Sequence, residues 1–106
     1  MPKYLITGSY TAQGVKGVMG EGGSGRVAAV RKLIESLGGT LESMYFAFGS
    51  EDWYITVDLP SNVAMAAGAL TVAATGSANP RTVVLLTAEE VDAAVKQSAD
   101  YRAPGA

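Results

Sequence analysis

The middle of the chain constrains the fold most. "TLESMYFAF" (Thr40–Phe48) and "WYITVDL" (Trp53–Leu59) read as strands, and only "GSED" (Gly49–Asp52) separates them. So short a connection turns the second run back along the first as an antiparallel hairpin. The runs "KYLITGSY" (Lys3–Tyr10) and "RTVVLL" (Arg81–Leu86) are also rich in β-branched and aromatic residues and read as strands on either side of it. Between the first strand and the hairpin, Val27, Val30, Leu33, Ile34 and Leu37 recur at helical spacing. Ser24 caps the start of that helix and Gly38-Gly39 supplies a left-handed stop. The preceding "TAQGVKGVMGEGGSG" carries six glycines. Each costs about 1 kcal/mol relative to Ala inside a helix. The expectation there is at most a short helical turn over Ala12–Met19 and then a flexible lead.

After the hairpin, Ser61 caps a second helix, "NVAMAAGALTVAATG", which Gly76 ends. Its residues are small, with little bulk to bury, and Val63, Ala67, Leu70 and Ala74 are the expected inner face. Thr87 and Glu90 form a capping box that opens a short third helix. The order β-α-β-β-α-β defines an α+β, ferredoxin-like arrangement: a four-stranded antiparallel sheet, two helices on one face, and an appended C-terminal helix. The domain is read as residues 1–97 and the tail as 98–106.

Two helices cover only one sheet face. Alternation puts Trp53, Ile55, Val57 and Leu59 on one side of the third strand, and Tyr54, Thr56 and Asp58 on the other. In the second strand Leu41, Tyr45 and Ala47 oppose Met44, Phe46 and Phe48; in the fourth, Val83 and Leu85 oppose Val84 and Leu86. Both faces of these two strands are therefore apolar, and large exposed apolar patches mark interfaces. The expected assembly is a homodimer whose sheets pack face to face into a dimeric α/β-barrel.

Composition excludes several functions. The 106 residues include no cysteine and no histidine, so disulfides, thiolate nucleophiles, Cys-ligated metals and the commonest general base are missing. Eight basic residues against ten acidic ones, scattered along the chain, argue against nucleic acid and anionic lipid as partners. No apolar run is long enough to span a bilayer, and no signal peptide is evident, so a cytoplasmic location is expected by default. No metal and no cofactor are expected; Glu51, Asp52 and Asp58 lack the D-x-D-x-D-G calcium-loop pattern.

The stretch "GEGGSGRVAAV" (Gly20–Val30) imitates phosphate-binding loops. It neither follows a strand directly nor carries the Lys-Ser/Thr pair such loops require. It is read as a lead into the helix; the alternative is an anion held by backbone N–H groups and Arg26. Candidate ligand-binding residues are the aromatics Tyr4, Tyr10, Tyr45 and Trp53, with Lys16, Asp52 and Arg81 as polar contacts. The same aromatics also serve as core and interface filler, and Asp52 as a turn residue bonding backbone N–H groups.

The segment "AFGSEDWYITVD" (Ala47–Asp58) followed by Pro60, the block "RTVVLLTAEE", the opening "MPKYLITGSYTAQGVKGV" and the helix "RVAAVRKLIESLGGTLESMYFAFG" resemble the GYD domain family over about the first 95 residues. Where that family has its Gly-Tyr-Asp triplet, this chain has Gly49 and Asp52 with Ser50-Glu51 between them. The resemblance implies a ferredoxin-like, dimeric α/β-barrel protein and assigns no biochemical role. The leading expectation is a homo-oligomer that binds a small apolar or aromatic molecule. Alternatives are a cofactor-free enzyme of the monooxygenase or isomerase type, relying on Asp52, Glu51, a Tyr or a Lys, and a structural or regulatory assembly module.

Overall fold

A computed structural model describes all residues, 1–106. The elements are β1 (Lys3–Tyr10), α1 (Ala12–Ser36), β2 (Thr40–Phe46), β3 (Trp53–Asp58), α2 (Asn62–Ala74), β4 (Ala78–Leu85) and α3 (Ala88–Val95). The fold is α+β, with three helices and a four-stranded sheet of order β2-β3-β1-β4. Every neighbouring pair is antiparallel. Each long helix carries the chain over one intervening strand: α1 takes it from β1 past β3 to β2, and α2 from β3 past β1 to β4. Ile34 of α1 and Met65 of α2 join one apolar cluster with Tyr4, Ile6, Leu41, Ile55 and Val57, so both helices pack on the same face.

Four local expectations are corrected. First, the glycine-rich segment is helical. α1 starts at Ala12, capped by Thr11, whose Oγ1 accepts from the Gly14 N–H at 3.3 Å. The helical path breaks only at Gly22, where φ is 78°. Ser24 is therefore not the cap, and Gly20–Gly25 forms no phosphate loop. Tertiary anchoring outweighs the glycine cost: the Thr11 N–H donates to the Ser77 carbonyl at 3.0 Å, and the hydroxyl to the Gly76 carbonyl at 2.9 Å.

Second, α2 buries another face. Val63 and Leu70 are 80% and 71% exposed, while Met65 and Gly68 are buried, flanked by Ala64, Ala69 and Val72. The helix is apolar all round, so periodicity does not choose a face. Gly68 does, because a Cβ there would stand only 3.1 Å from the Leu37 methyl.

Third, β2 contains a bulge. Its register against β3 shifts between Leu41 and Ser43, which puts Leu41 on the helix side with Met44 and Phe46 and turns Tyr45 to the open side beside Tyr54. Uniform alternation is lost there, and the expected face assignment of Leu41 with it. Fourth, β4 begins three residues early, at Ala78, and takes in Pro80. Proline is tolerated because β4 is an edge strand, paired with β1 alone.

The remaining boundaries follow local chemistry. Ser61 caps α2 and Gly76, at φ 72°, ends it. The Thr87–Glu90 capping box opens α3, which buries no residue. Residues 98–106 contain no helix or strand. No helix is long and apolar enough to cross a membrane.

Candidate functional site

A cavity of about 200 Å³ lies between the helices and the sheet. Its origin is a shortage of bulk. α1 rests chiefly on β2 and α2 on β4, and the side chains they turn toward the gap over β1 and β3 include Ala29, Gly68 and Ala69. Val30, Leu33, Ile34, Met65 and Val72 complete the helical walls; Ile6, Ile55 and Met44 form part of the floor. Close packing of small residues where larger ones would fill the space leaves a void, and the surrounding framework resists collapse.

Two residues of the cavity wall carry buried donors without a protein acceptor. Trp53, 3% exposed at the start of β3, forms part of the wall, and its indole Nε1–H has no acceptor in the protein. Its ring crosses Gly8, where any Cβ would collide with the indole and with the Asn79 carbonyl. Tyr10 holds it from one side, with ring centroids 4.7 Å apart and planes tilted by 49°. Arg26 is the only charged residue in the wall. Its Nη1 reaches outward to Glu21 at 3.3 Å, but its Nε–H is shielded from solvent and has no acceptor. Each buried donor left unpaired costs about 1–3 kcal/mol. The other polar groups at the rim are engaged: the Thr75 hydroxyl donates to the Val72 carbonyl at 2.7 Å, and Thr75 Oγ1 lies 2.6 Å from Ser77 Oγ.

Tyr10 also borders a second hollow with Val15, Val18, Phe46, Phe48 and Asp52. Phe48 and Met19 on its margin are themselves exposed. Burial raises the Tyr10 phenol above its ordinary pKa; the Arg26 charge opposes the shift and the Asp52 and Glu21 charges add to it. The phenol therefore stays neutral at physiological pH and keeps its donor proton.

The expected site residues separate into three groups. Tyr10 and Trp53 line the cavity between helices and sheet. Tyr4 is in the core, its hydroxyl bonded to Asn62 Oδ1 at 2.5 Å, and Lys16 is exposed on α1. Tyr45 and Arg81 sit on the open side of the sheet, Arg81 paired with Glu51. Asp52 serves the turn: its Oδ2 accepts from the Tyr10 N–H at 2.8 Å and its own N–H donates to the Gly8 carbonyl at 2.7 Å. Arg26, Met65, Ala69 and Val72 are cavity residues that the sequence reading did not place there. The scarcity of bulk in α2 was the available signal.

An α+β protein with an open sheet on one side and a helix-roofed cavity on the other is the class that this geometry defines. The GYD domain family matches residues 4–95, and the chain belongs to that family. The search of the curated proteins returned no match.

Proposed function

We propose that this GYD-domain protein binds a small, largely apolar molecule in the cavity between its helices and its sheet. The cavity of about 200 Å³ between helices and sheet, with mostly hydrophobic walls, carries this reading. An apolar cavity of about 150 Å³ suffices for benzene, so the volume suits a single ring or a short chain. Binding is preferred over acid–base catalysis because both carboxylates of the β2–β3 turn are engaged, Asp52 by a backbone N–H and Glu51 by Arg81.

The test uses the one tryptophan of the chain, Trp53. Toluene should change Trp53 emission saturably, and Ala69→Leu, which fills the cavity, should remove the response while leaving the protein folded. An unsaturable response, or an unchanged one in Ala69→Leu, would overturn the reading. Native mass spectrometry of untagged protein gives an independent check, since a co-purified molecule adds mass to each subunit.

A second observation favours self-association. Tyr45, Tyr54 and Val83 are exposed on the sheet face that no helix covers. Apolar area of this kind is suited to burial against a second copy, as a ferredoxin-like, dimeric α/β-barrel. The β-α-β-β-α-β order and the split connections support that plan. Sedimentation velocity should show a dimer for the natural chain and a monomer for Tyr54→Arg; a monomeric natural chain at micromolar concentration rules the assembly out.

A further inference from the structure

The cavity lacks a complete cover, and α3 lacks a seat. We propose that α3 of a second copy of this chain lies along the opening between α1 and α2 and covers the cavity, with Val91 and Val95 turned inward. The effect on ligands rests on the cavity being the binding site.

α3 is not held by its own chain. It has eight residues, and isolated helices below about 12–15 residues are marginal in water. It carries a complete capping box yet buries no residue. Every residue from 86 to 106 is exposed. The chain is stretched, with a radius of gyration of 16.9 Å and a longest dimension of 57 Å; a compact chain of this size has a radius of gyration of about 13 Å. Helices in proteins are stabilised mostly by packing an amphipathic face, and α3 has one. Val91 and Val95, four residues apart, share one side and are 46% and 78% exposed.

The opening suits such a helix in shape and charge. Ala29 and Leu33 of α1 and Ala69 and Val72 of α2 line the cavity and stay partly exposed, so the helix layer does not close over it. The two alanines leave room for a third helix to approach. Lys32 lies three residues after Ala29, on the same side of α1. It is exposed and in no ion pair. α2 carries no charge. α3 brings Glu89, Glu90 and Asp92, none of them in an ion pair. An acidic helix is thus complementary to a seat whose one free charge is positive.

The chain's own α3 is not the occupant. It follows β4 after two residues, Leu86 and Thr87. β4 is the edge strand on which α2 rests, so α2 stands between the start of α3 and the cavity. A second copy is free of that tether. Two copies can exchange their α3 helices reciprocally, each seated on the other.

The chain contains no cysteine, so introduced thiols report this contact directly. Ala94→Cys, three residues after Val91 on α3, is mixed and oxidised with Ala29→Cys on α1 or with Ala66→Cys, an exposed position on α2. Disulfide-linked pairs of unlike chains, identified by mass, are expected in these mixtures, and far fewer with Ser50→Cys in the hairpin turn. No mixed pair, or equal linkage to Ser50→Cys, overturns the docking. A link within one chain, in the variant that carries both Ala94→Cys and Ala29→Cys, overturns the choice of a second copy. The variant with both Val91→Glu and Val95→Glu gives an independent readout, because both side chains are exposed and the fold does not need them. It should bind toluene roughly fourfold more weakly than the natural chain, the effect of about one methylene of lost apolar cover. Toluene binding that is equal in the two, without mixed disulfides, removes the cover and leaves the cavity reading standing. Mixed disulfides in a chain that binds no toluene keep the docking and remove the ligand reading.

Discussion

The two faces of one sheet follow different rules here. The helix-covered face is built from Tyr4, Ile6, Trp53, Ile55 and Val57, all nearly or wholly buried. The open face alternates apolar residues with polar pairs. Lys3 bridges Glu42 and Asp58, Ser43 Oγ lies 2.5 Å from Thr56 Oγ1, and Arg81 pairs with Glu51. The buried face holds the domain together through area removed from water and close contact. The open face contributes little by its ion pairs, which solvent and salt screen. One strand, β3, carries both sets of residues one position apart, so the contrast reflects environment and not backbone.

The largest effect is expected at Gly8, on the buried face. Gly8→Val forces a side chain into the Asn79 carbonyl and the Trp53 ring. Overpacking against backbone should cost about 3 kcal/mol or more, read as a lower urea midpoint. The same step should abolish cavity binding, because the indole can no longer lie across β1. A variant that stays within about 1 kcal/mol of the natural chain would show that the tight approach at Gly8 is not needed.

Neighbouring substitutions on β3 sharpen the comparison. Val57 is 0% exposed, and Val57→Ala should cost about 2 kcal/mol through lost burial and a residual void. Thr56→Ala, one residue away on the open face, should stay within about 0.5 kcal/mol as a surface change. Equal effects in urea unfolding would mean that the open face is as structurally committed as the covered one, for instance because a second copy buries it.

The pH dependence gives the smallest signals, and they fall at opposite ends. Tyr10, beside the cavity, has a raised pKa chiefly because of burial. The folded chain therefore favours the neutral phenol. That contribution is intact below the ordinary value of 10.0 and is lost as pH rises through the raised one. On the open face, hydrogen bonding from Lys3 lowers the Glu42 pKa and Thr56 adds to the shift. The resulting stability is present above the ordinary value of 4.5 and is lost as pH falls through the depressed one. The acid-side loss should shrink in 1 M salt and in Lys3→Met, whereas the alkaline-side loss should disappear in Tyr10→Phe and be insensitive to salt. Thermal unfolding across pH at two ionic strengths separates them; an acid limb unmoved by salt would mean that a buried carboxylate, and not Glu42, dominates it.

Much of this architecture is written locally. The β3 alternation, the hairpin, the Ser61 cap, the Gly76 stop and the Thr87–Glu90 capping box are each decided by residues a few positions apart. A period of two or a hydroxyl three residues ahead of a partner needs no distant help. The aromatic character of the site was legible for the same reason, through Tyr10 and Trp53. Family membership, too, rests on the order of such blocks along the chain.

What only the tertiary structure decided depends on residues far apart in the chain. α1 begins at Ala12 and runs helical on both sides of a break at Gly22, its start fixed because Thr11 is tied to Gly76 and Ser77. α2, apolar on every side, turns Gly68 inward because Leu37 stands against it. The bulge in β2 reverses the sense of Leu41 because β3 sets the register. The cavity exists because small residues of two helices meet over the same part of the sheet, and both Arg26 and Trp53 line it. Neither residue's neighbours in sequence reveal that meeting: a void and an unpartnered donor are properties of what fails to arrive from elsewhere in the fold, and a local pattern encodes only what is near.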